Sequence, residues 1–186
     1  FIGARRMHDP GHPRGAEPAC RQAFTRRKDR VEEQVVLVDS RDNEQGTMGK
    51  LEAHERGRLH RAISVFIFNP DGELLLQRRA ADKYHSAGLW SNTCCSHPRP
   101  DERPHQAALR RLQEEMGIEC DLRFAFAFLY RAELDSGLTE HELDHVFVGD
   151  FSGAPNPDPA EVSEWRWISP QALRAELAAS PASFSA

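Results

Sequence analysis

The chain has 186 residues, enough for one domain with a sizeable core. Its 24 Lys and Arg against 29 Asp and Glu leave a net charge of −5, which argues against a nucleic-acid binder, whose footprint is strongly basic. No apolar run approaches the length of a membrane span, and the Arg-, Pro- and His-rich start has no apolar signal segment.

Residues 1–30 carry Arg26-Arg27-Lys28 and little to bury, so they are expected to be a disordered, solvated segment ahead of a single domain over 31–186. Val35 to Val38 reads as a strand, and Asp39 to Gly49 as a polar connection. Ile63 to Phe68 reads as a strand leading through Asn69-Pro70-Asp71-Gly72 into Glu73 to Arg78. Pro at the second turn position and Gly at the fourth predict a type I turn and a hairpin. Residues 89–95 read as one short strand. Pro104 to Met116 predicts a helix, with Pro in the first turn, Ala108, Leu112 and Met116 at four-residue spacing, and Gly117 placed to end it. Leu122, Phe124, Phe126, Phe128 and Tyr130 alternate, which predicts a half-buried strand paired with Leu143 to Phe151. Glu164 to Ile168 is a late strand, and Ser169-Pro170 caps a last helix over Gln171 to Ala178. Strands around two helices predict an α/β sandwich with a mixed sheet.

Four groups of residues carry chemistry. Cys95 and His97 lie two apart on a predicted strand, which puts thiol and imidazole on one face. Adjacent Cys94 must then face the other way. Arg111 and Glu115 lie four apart on the predicted helix; alone, such a pair is a surface salt bridge. His54 and His60 sit on a predicted loop before a strand, and Glu140 and Glu142 alternate where the chain leads into the strand at Leu143, so both carboxylates point one way. Three imidazoles and two carboxylates make a mixed nitrogen and oxygen site suited to Mn²⁺ or Zn²⁺. Lys50, Arg79, Lys83 and Arg111 together can neutralise a diphosphate. The four cysteines, Cys20, Cys94, Cys95 and Cys120, match neither a disulfide framework nor a paired zinc motif, so a reduced, cytoplasmic protein is expected.

Ser96 to Ile118 nearly spells the Nudix box. Glu102, Arg110, Leu112, Glu114, Glu115, Gly117 and Ile118 fall in register, while Ser96 replaces its Gly and Arg111 replaces a metal-binding Glu. A hydrolase that cuts diphosphates needs that Glu; a protein that holds a diphosphate without cutting it can use Arg. Residues 35–185 resemble type 1 isopentenyl-diphosphate isomerases, which have the Nudix fold. The likeness runs through Lys50, His54, Leu59-His60-Arg61-Ala62, Leu89-Trp90-Ser91-Asn92, Cys95-Ser96-His97-Pro98, Tyr130-Arg131-Ala132 and Glu140-x-Glu142. Both breaks in the box recur in that family.

The resemblance implies a Nudix α/β/α sandwich and an enzyme that interconverts isopentenyl and dimethylallyl diphosphate in isoprenoid biosynthesis by protonation and deprotonation. It implies a tight divalent metal on His54, His60, His97, Glu140 and Glu142, a substrate-bound Mg²⁺ on Glu115, and diphosphate grips at Lys50, Arg79, Lys83 and Arg111. Cys95 and Glu142 match the acid–base groups and Tyr130 the helper beside Glu142. A small isoprenoid diphosphate is the implied partner, with no nucleic acid or membrane, in a monomer or homodimer. A Nudix hydrolase of nucleoside diphosphate derivatives is the competing reading. The family pattern also places an aromatic residue, usually Trp, after a Phe-Ser-Pro segment. Ser180 to Ala186 tracks that segment and stops before the aromatic, so 180–186 are expected to be poorly ordered.

Overall fold

The computed structural model describes residues 33–83, 86–134 and 137–185. The segment expected to be disordered, 1–30, lies outside the described residues. The elements in chain order are β1 (Gln34–Val38), β2 (Glu44–Gly49), α1 (Lys50–Glu55), β3 (His60–Phe68), β4 (Leu74–Arg79), β5 (Trp90–Ser91), β6 (Cys94–Ser96), α2 (Pro104–Met116), β7 (Leu122–Glu133), β8 (Thr139–Asp150), β9 (Val162–Ile168) and α3 (Pro170–Ala179). A 3-10 turn, Pro181–Ser183, follows.

Strand β3 organises a nine-stranded mixed sheet. On one flank it runs parallel to β8 from His60↔Glu142 to Phe68↔Asp150. On the other it meets three short partners in succession: β1 at Leu37↔His60, β6 at Ser64↔Cys95, and β4 at Phe68↔Leu74. Its alternation sorts two layers. Ile63, Val65 and Ile67 join Leu75, Cys94, Phe147 and Val162 beneath the apolar face of α2, formed by Ala107, Ala108, Leu112 and Met116. On the opposite side Leu74, Leu76 and Ile168 pack with Phe66, Phe68, Trp90, Phe184 and Leu173 of α3.

Helix α2 starts and stops where its sequence dictates. Pro104 occupies the first turn, and the Gln106 side chain accepts from the Arg103 amide at 3.2 Å. At the other end Gly117 is left-handed, with φ 64°, and its amide returns to the Gln113 carbonyl. A Cβ there would also lie 2.4 Å from the Asn156 carbonyl oxygen, so backbone conformation and space both demand glycine.

Several expectations change. The polar connection after β1 is itself strand β2, folded back on β1 in antiparallel register despite its exposure. Residues 89–95 split into β5 and β6, because Asn92 and Thr93 turn their side chains onto backbone: Thr93 Oγ1 bridges the Ile67 amide and the Leu75 carbonyl. The type I turn forms, with Gly72 N donating to Asn69 O at 2.9 Å. The hairpin beyond it opens at once, since β4 pairs along its length with β9 instead of β3. The loop holding His54 is helix α1, making three α-helices among the described residues and not two.

Strand β7 is not half-buried: Phe124, Phe126 and Phe128 are 58%, 54% and 41% exposed. It pairs with β8 alone, and a bulge between Phe124 and Phe126 breaks the alternation. Phe124 packs on the rings of His145 and Phe147, while Phe128 stacks on Tyr130. The tail is docked, not loose. Phe184 bridges to Trp90, Ser185 N donates to the Trp90 carbonyl, and the Arg166 guanidinium covers the Trp90 ring at 4.3 Å.

The start of α2 is tied down by Arg110, whose Nε and Nη2 grip both oxygens of Glu102 at 2.7 and 2.8 Å. That hydrogen bonding holds the Glu102 carboxyl below its ordinary value of 4.5. The stabilisation is therefore present above pH 4.5 and lost as the pH falls through the lowered folded value. Glu102→Gln should lower the melting temperature at pH 7 by about 3 °C, on the scale of a partly buried ion pair. The gap to the parent should close as both are melted toward pH 3. A gap that persists there would place the effect outside this pair.

Candidate active site

Four side chains from four places in the chain converge. His54 comes from α1, His60 from the first residue of β3, His97 from just beyond β6, and Glu142 from β8. One ligand atom from each lies within 4.8 Å of all the others. The parallel register sets His60 directly beside Glu142, and β6 delivers His97 from the other flank. His60 Nε2 and His97 Nε2 are 3.2 Å apart, and Glu142 Oε1 lies 3.0 Å from His97 Nε2 and 3.4 Å from His60 Nε2.

Backbone carbonyls set the imidazole tautomers. His54 Nδ1 lies 2.7 Å from the Lys50 carbonyl, and His60 Nδ1 lies 2.7 Å from the Arg58 carbonyl. With Nδ1–H donated, each Nε2 presents its lone pair to the cluster. Burial lowers His54, and holds His97 down to about 3, so these imidazoles stay neutral near pH 7. Burial pushes the Glu142 carboxyl upward, but the contacts with His60 and His97 outweigh it and hold the group well below the usual range. Imidazole nitrogens crowded around an ionised carboxylate fit a divalent cation through the chemistry of the donor set.

Tyr130 links this group to its neighbours. Its hydroxyl donates to Glu142 Oε2 at 2.7 Å and lies 3.2 Å from Glu140 Oε2. Burial and the Glu142 charge push the phenol far above its ordinary value, so it stays protonated. The same two causes raise Glu140 to about 7, with Arg79 among the charges opposing them. Glu140 is not one of the four residues whose ligand atoms converge.

Cys95 faces this side of the sheet. Ser64, its β3 partner, has Oγ 3.8 Å from Cys95 Sγ and donates to Asp144 Oδ2 at 2.7 Å. Burial, then the carboxylates of Glu142, Asp144 and Glu140, push the thiol well above its ordinary value. Cys94 points the other way, fully buried in the core under α2.

The cationic residues divide. Arg111 is held by Glu115 through Nη2 at 2.6 Å and by Glu114 through Nη1 at 2.7 Å, and reaches Glu161 at 3.4 Å. Lys83 pairs with the same Glu161 carboxylate. Lys50 pairs with Glu33 at 3.0 Å, and Glu33 also feels the charge of Arg111. Glu115 is buried, lies apart from the imidazole group, and accepts from Gln77 at 3.1 Å.

Four participants escaped the sequence reading: Ser64, Asp144, Glu33 and Glu161. Asp144 was within reach, since extending the alternation of Glu140 and Glu142 by two residues lands on it. Burial raises its carboxyl to about 7. Ser64 follows from His60 by the same rule. Glu33 and Glu161 had no local signal.

Residues 58–186 match the NUDIX domain family model. The chain is 54% identical over 155 residues to Isopentenyl-diphosphate Delta-isomerase 2 of Aromatoleum aromaticum, covering 83% of this chain and 82% of that protein. It is 57% identical over 155 residues to Isopentenyl-diphosphate Delta-isomerase 1 of the same organism, with 83% and 88% covered. Against the Burkholderia multivorans Isopentenyl-diphosphate Delta-isomerase it is 51% identical over 155 residues, again with 83% and 88% covered. Among solved structures, a Deinococcus radiodurans protein superposes with a TM-score of 0.67 at 22% identity, over 79% of this chain and 90% of that one. The MutT protein of Methanosarcina mazei gives 0.54 at 24% identity, over 64% and 81%. Those two likenesses concern the fold. The family model and the curated relatives together place this chain in the isopentenyl-diphosphate Delta-isomerase family of the Nudix superfamily.

Proposed function

We propose that the protein interconverts isopentenyl diphosphate and dimethylallyl diphosphate, moving a carbon–carbon double bond by one position. The observation that carries this reading is that the registers of β3 with β6 and β8 bring a thiol, Cys95, and a carboxylate, Glu142, to one site beside Tyr130, where burial and the Glu142 charge keep the thiol protonated. The reaction adds a proton at one carbon and removes another two carbons away. One group of the pair gives up a proton and the other gains one. The proton number of the pair is unchanged, and the two roles exchange in the reverse direction. Tyr130 holds the Glu142 side of the transfer by its 2.7 Å hydrogen bond. Protonating an alkene develops positive charge at carbon, which the electron-rich face of a site lined by Glu142 and Tyr130 stabilises.

Lys50, Arg79, Lys83 and Arg111 bind the diphosphate, with Arg111 offering a planar fork to phosphate oxygens. His54, His60, His97 and Glu142 would hold a divalent cation, Mn²⁺ or Zn²⁺ by donor type, with Glu140 beside them. Glu115 would serve a Mg²⁺ carried by the substrate. A cation bound among the imidazoles supplies a fixed positive charge that decides which nearby carboxyls keep their protons. The hydrolase reading needs a carboxylate where this chain has Arg111.

With isopentenyl diphosphate in deuterated water, dimethylallyl diphosphate carrying deuterium should form without phosphate release. Phosphate release without isomerisation would favour the hydrolase. Chelation that strips the cation, followed by elemental analysis, should abolish turnover, and Mn²⁺ or Mg²⁺ should restore it. Full activity in metal-free protein would remove the cation from the reading.

Cys95→Ala should lower turnover by roughly 10²- to 10⁴-fold, the usual contribution of an acid–base group, with the melting temperature retained. Cys94→Ala should do the reverse. It should remain active and lose about 1–2 kcal/mol of stability, because Cys94 fills core volume under α2. An active Cys95→Ala beside an inactive Cys94→Ala would reverse the assignment of the two faces.

A further inference from the structure

The loop between β8 and β9 does more than connect strands. It runs back over the end of α2, where Asn156 N donates to the Met116 carbonyl and Asp158 N to the Glu115 carbonyl, both at 3.0 Å. Glu161 N and Val162 N then close onto the Asp158 carbonyl, each at 2.9 Å, and the Glu161 carbonyl accepts from Ala80 N at 3.0 Å. Main-chain bonds therefore fix Glu161 between the end of α2 and the segment that carries Lys83. Its carboxylate, about a quarter exposed, pairs with Lys83 and lies 3.4 Å from Arg111 Nη2.

These two cations come from segments far apart in the chain, and like charges at this range repel. One carboxylate holds both. The same device recurs at Lys50, whose ammonium pairs with Glu33. Arg111 is already surrounded by Glu114, Glu115 and Glu161. A diphosphate that approaches Lys83 and Arg111 meets the Glu161 carboxylate close to both, anion against anion.

We propose that Glu161 is a built-in counter-anion that holds Lys83 and Arg111 together and competes with the diphosphate for them, so that it tunes substrate affinity and product release. The proposal rests on the reading of Lys83 and Arg111 as diphosphate grips. Glu161 is a positioning residue: it need not touch the reacting carbons. It keeps two cations side by side when no anion is present, and its charge weakens the hold on diphosphate enough for product to leave.

The test measures inorganic pyrophosphate binding by titration calorimetry in Mg²⁺ buffer, alongside isomerase kinetics. Glu161→Gln should bind pyrophosphate about ten-fold more tightly, the effect of removing one charge-assisted competitor. Its KM for isopentenyl diphosphate should fall with it, and turnover should fall as release slows. Glu161→Asp, with its carboxylate drawn one methylene back, should lie between Gln and the parent, and serves alone if the Gln variant does not fold. Pyrophosphate affinity equal to or weaker than the parent's in every folded variant, with isomerisation intact in the parent, overturns the proposal. A parent that binds pyrophosphate but does not isomerise overturns the functional reading and leaves the competition measurable. A structural role alone would lower the melting temperature without tightening pyrophosphate.

Discussion

The register of β3 between its two flanks decides whether this protein has a site at all. On one side the parallel pairing with β8 sets His60 beside Glu142 and Ala62 beside Asp144. On the other, antiparallel pairing with β6 sets Ser64 opposite Cys95 and leaves His97 just beyond the strand end. Side chains alternate along a strand, so a slip of one residue in either ladder would exchange the faces. Glu142 and Cys95 would then enter the apolar layer under α2, and Leu143 and Cys94 would face the imidazoles. The hydrophobic pattern forbids it. Ile63, Val65, Ile67, Cys94 and Phe147 share the core beneath α2, and each ladder is locked by what its other face buries.

That arrangement concentrates charge that the fold must compensate. Three acidic residues, Glu140, Glu142 and Asp144, alternate along β8 and line one face. Buried carboxylates at this spacing cannot all ionise without a counter-charge. Glu142 takes the ionised state because His60 and His97 lie against it, while Glu140 and Asp144 are both raised to about 7. The site is therefore graded, with one firm anion flanked by two acids near their balance point. A cation among the imidazoles would deepen that grading. The protonated thiol of Cys95 sits at the edge of the same field, and the Glu142 charge helps to keep it protonated.

What was legible in the sequence follows from how local its cause is. Helix α2 could be read with both ends, because Pro104, the periodic apolar residues and Gly117 are signals within one segment. The opposite orientations of Cys94 and Cys95 needed only the two-residue period of a strand. Helix α1 and strand β2 were missed for the converse reason. Each has six residues, and β2 is largely exposed, so neither carries a full hydrophobic period. The exposure of Phe124, Phe126 and Phe128 was misread because alternation reports a preferred face, not whether anything covers it. Phe184 was expected to be loose because its anchor was sought downstream; the anchor is Trp90, far upstream. Asp144 lay on a rule already in use, one step further along β8. Glu161 lay on none, since its position is set by backbone bonds to α2 and to Ala80.

The exchange of a carboxylate for Arg111 explains why the helix kept the rest of its box. In a hydrolase the acidic residues on this turn gather cations around the bond to be cut. Here Glu114 and Glu115 remain, but they grip Arg111 at 2.7 and 2.6 Å. Burial weakens the case for a charged guanidinium, and Glu115 more than restores it, so Arg111 stays charged and aimed. On this helix turn Glu114 and Glu115 thus hold one fixed cation in place. Gln77 completes the change by donating to the other oxygen of Glu115, which keeps that carboxylate satisfied in the interior.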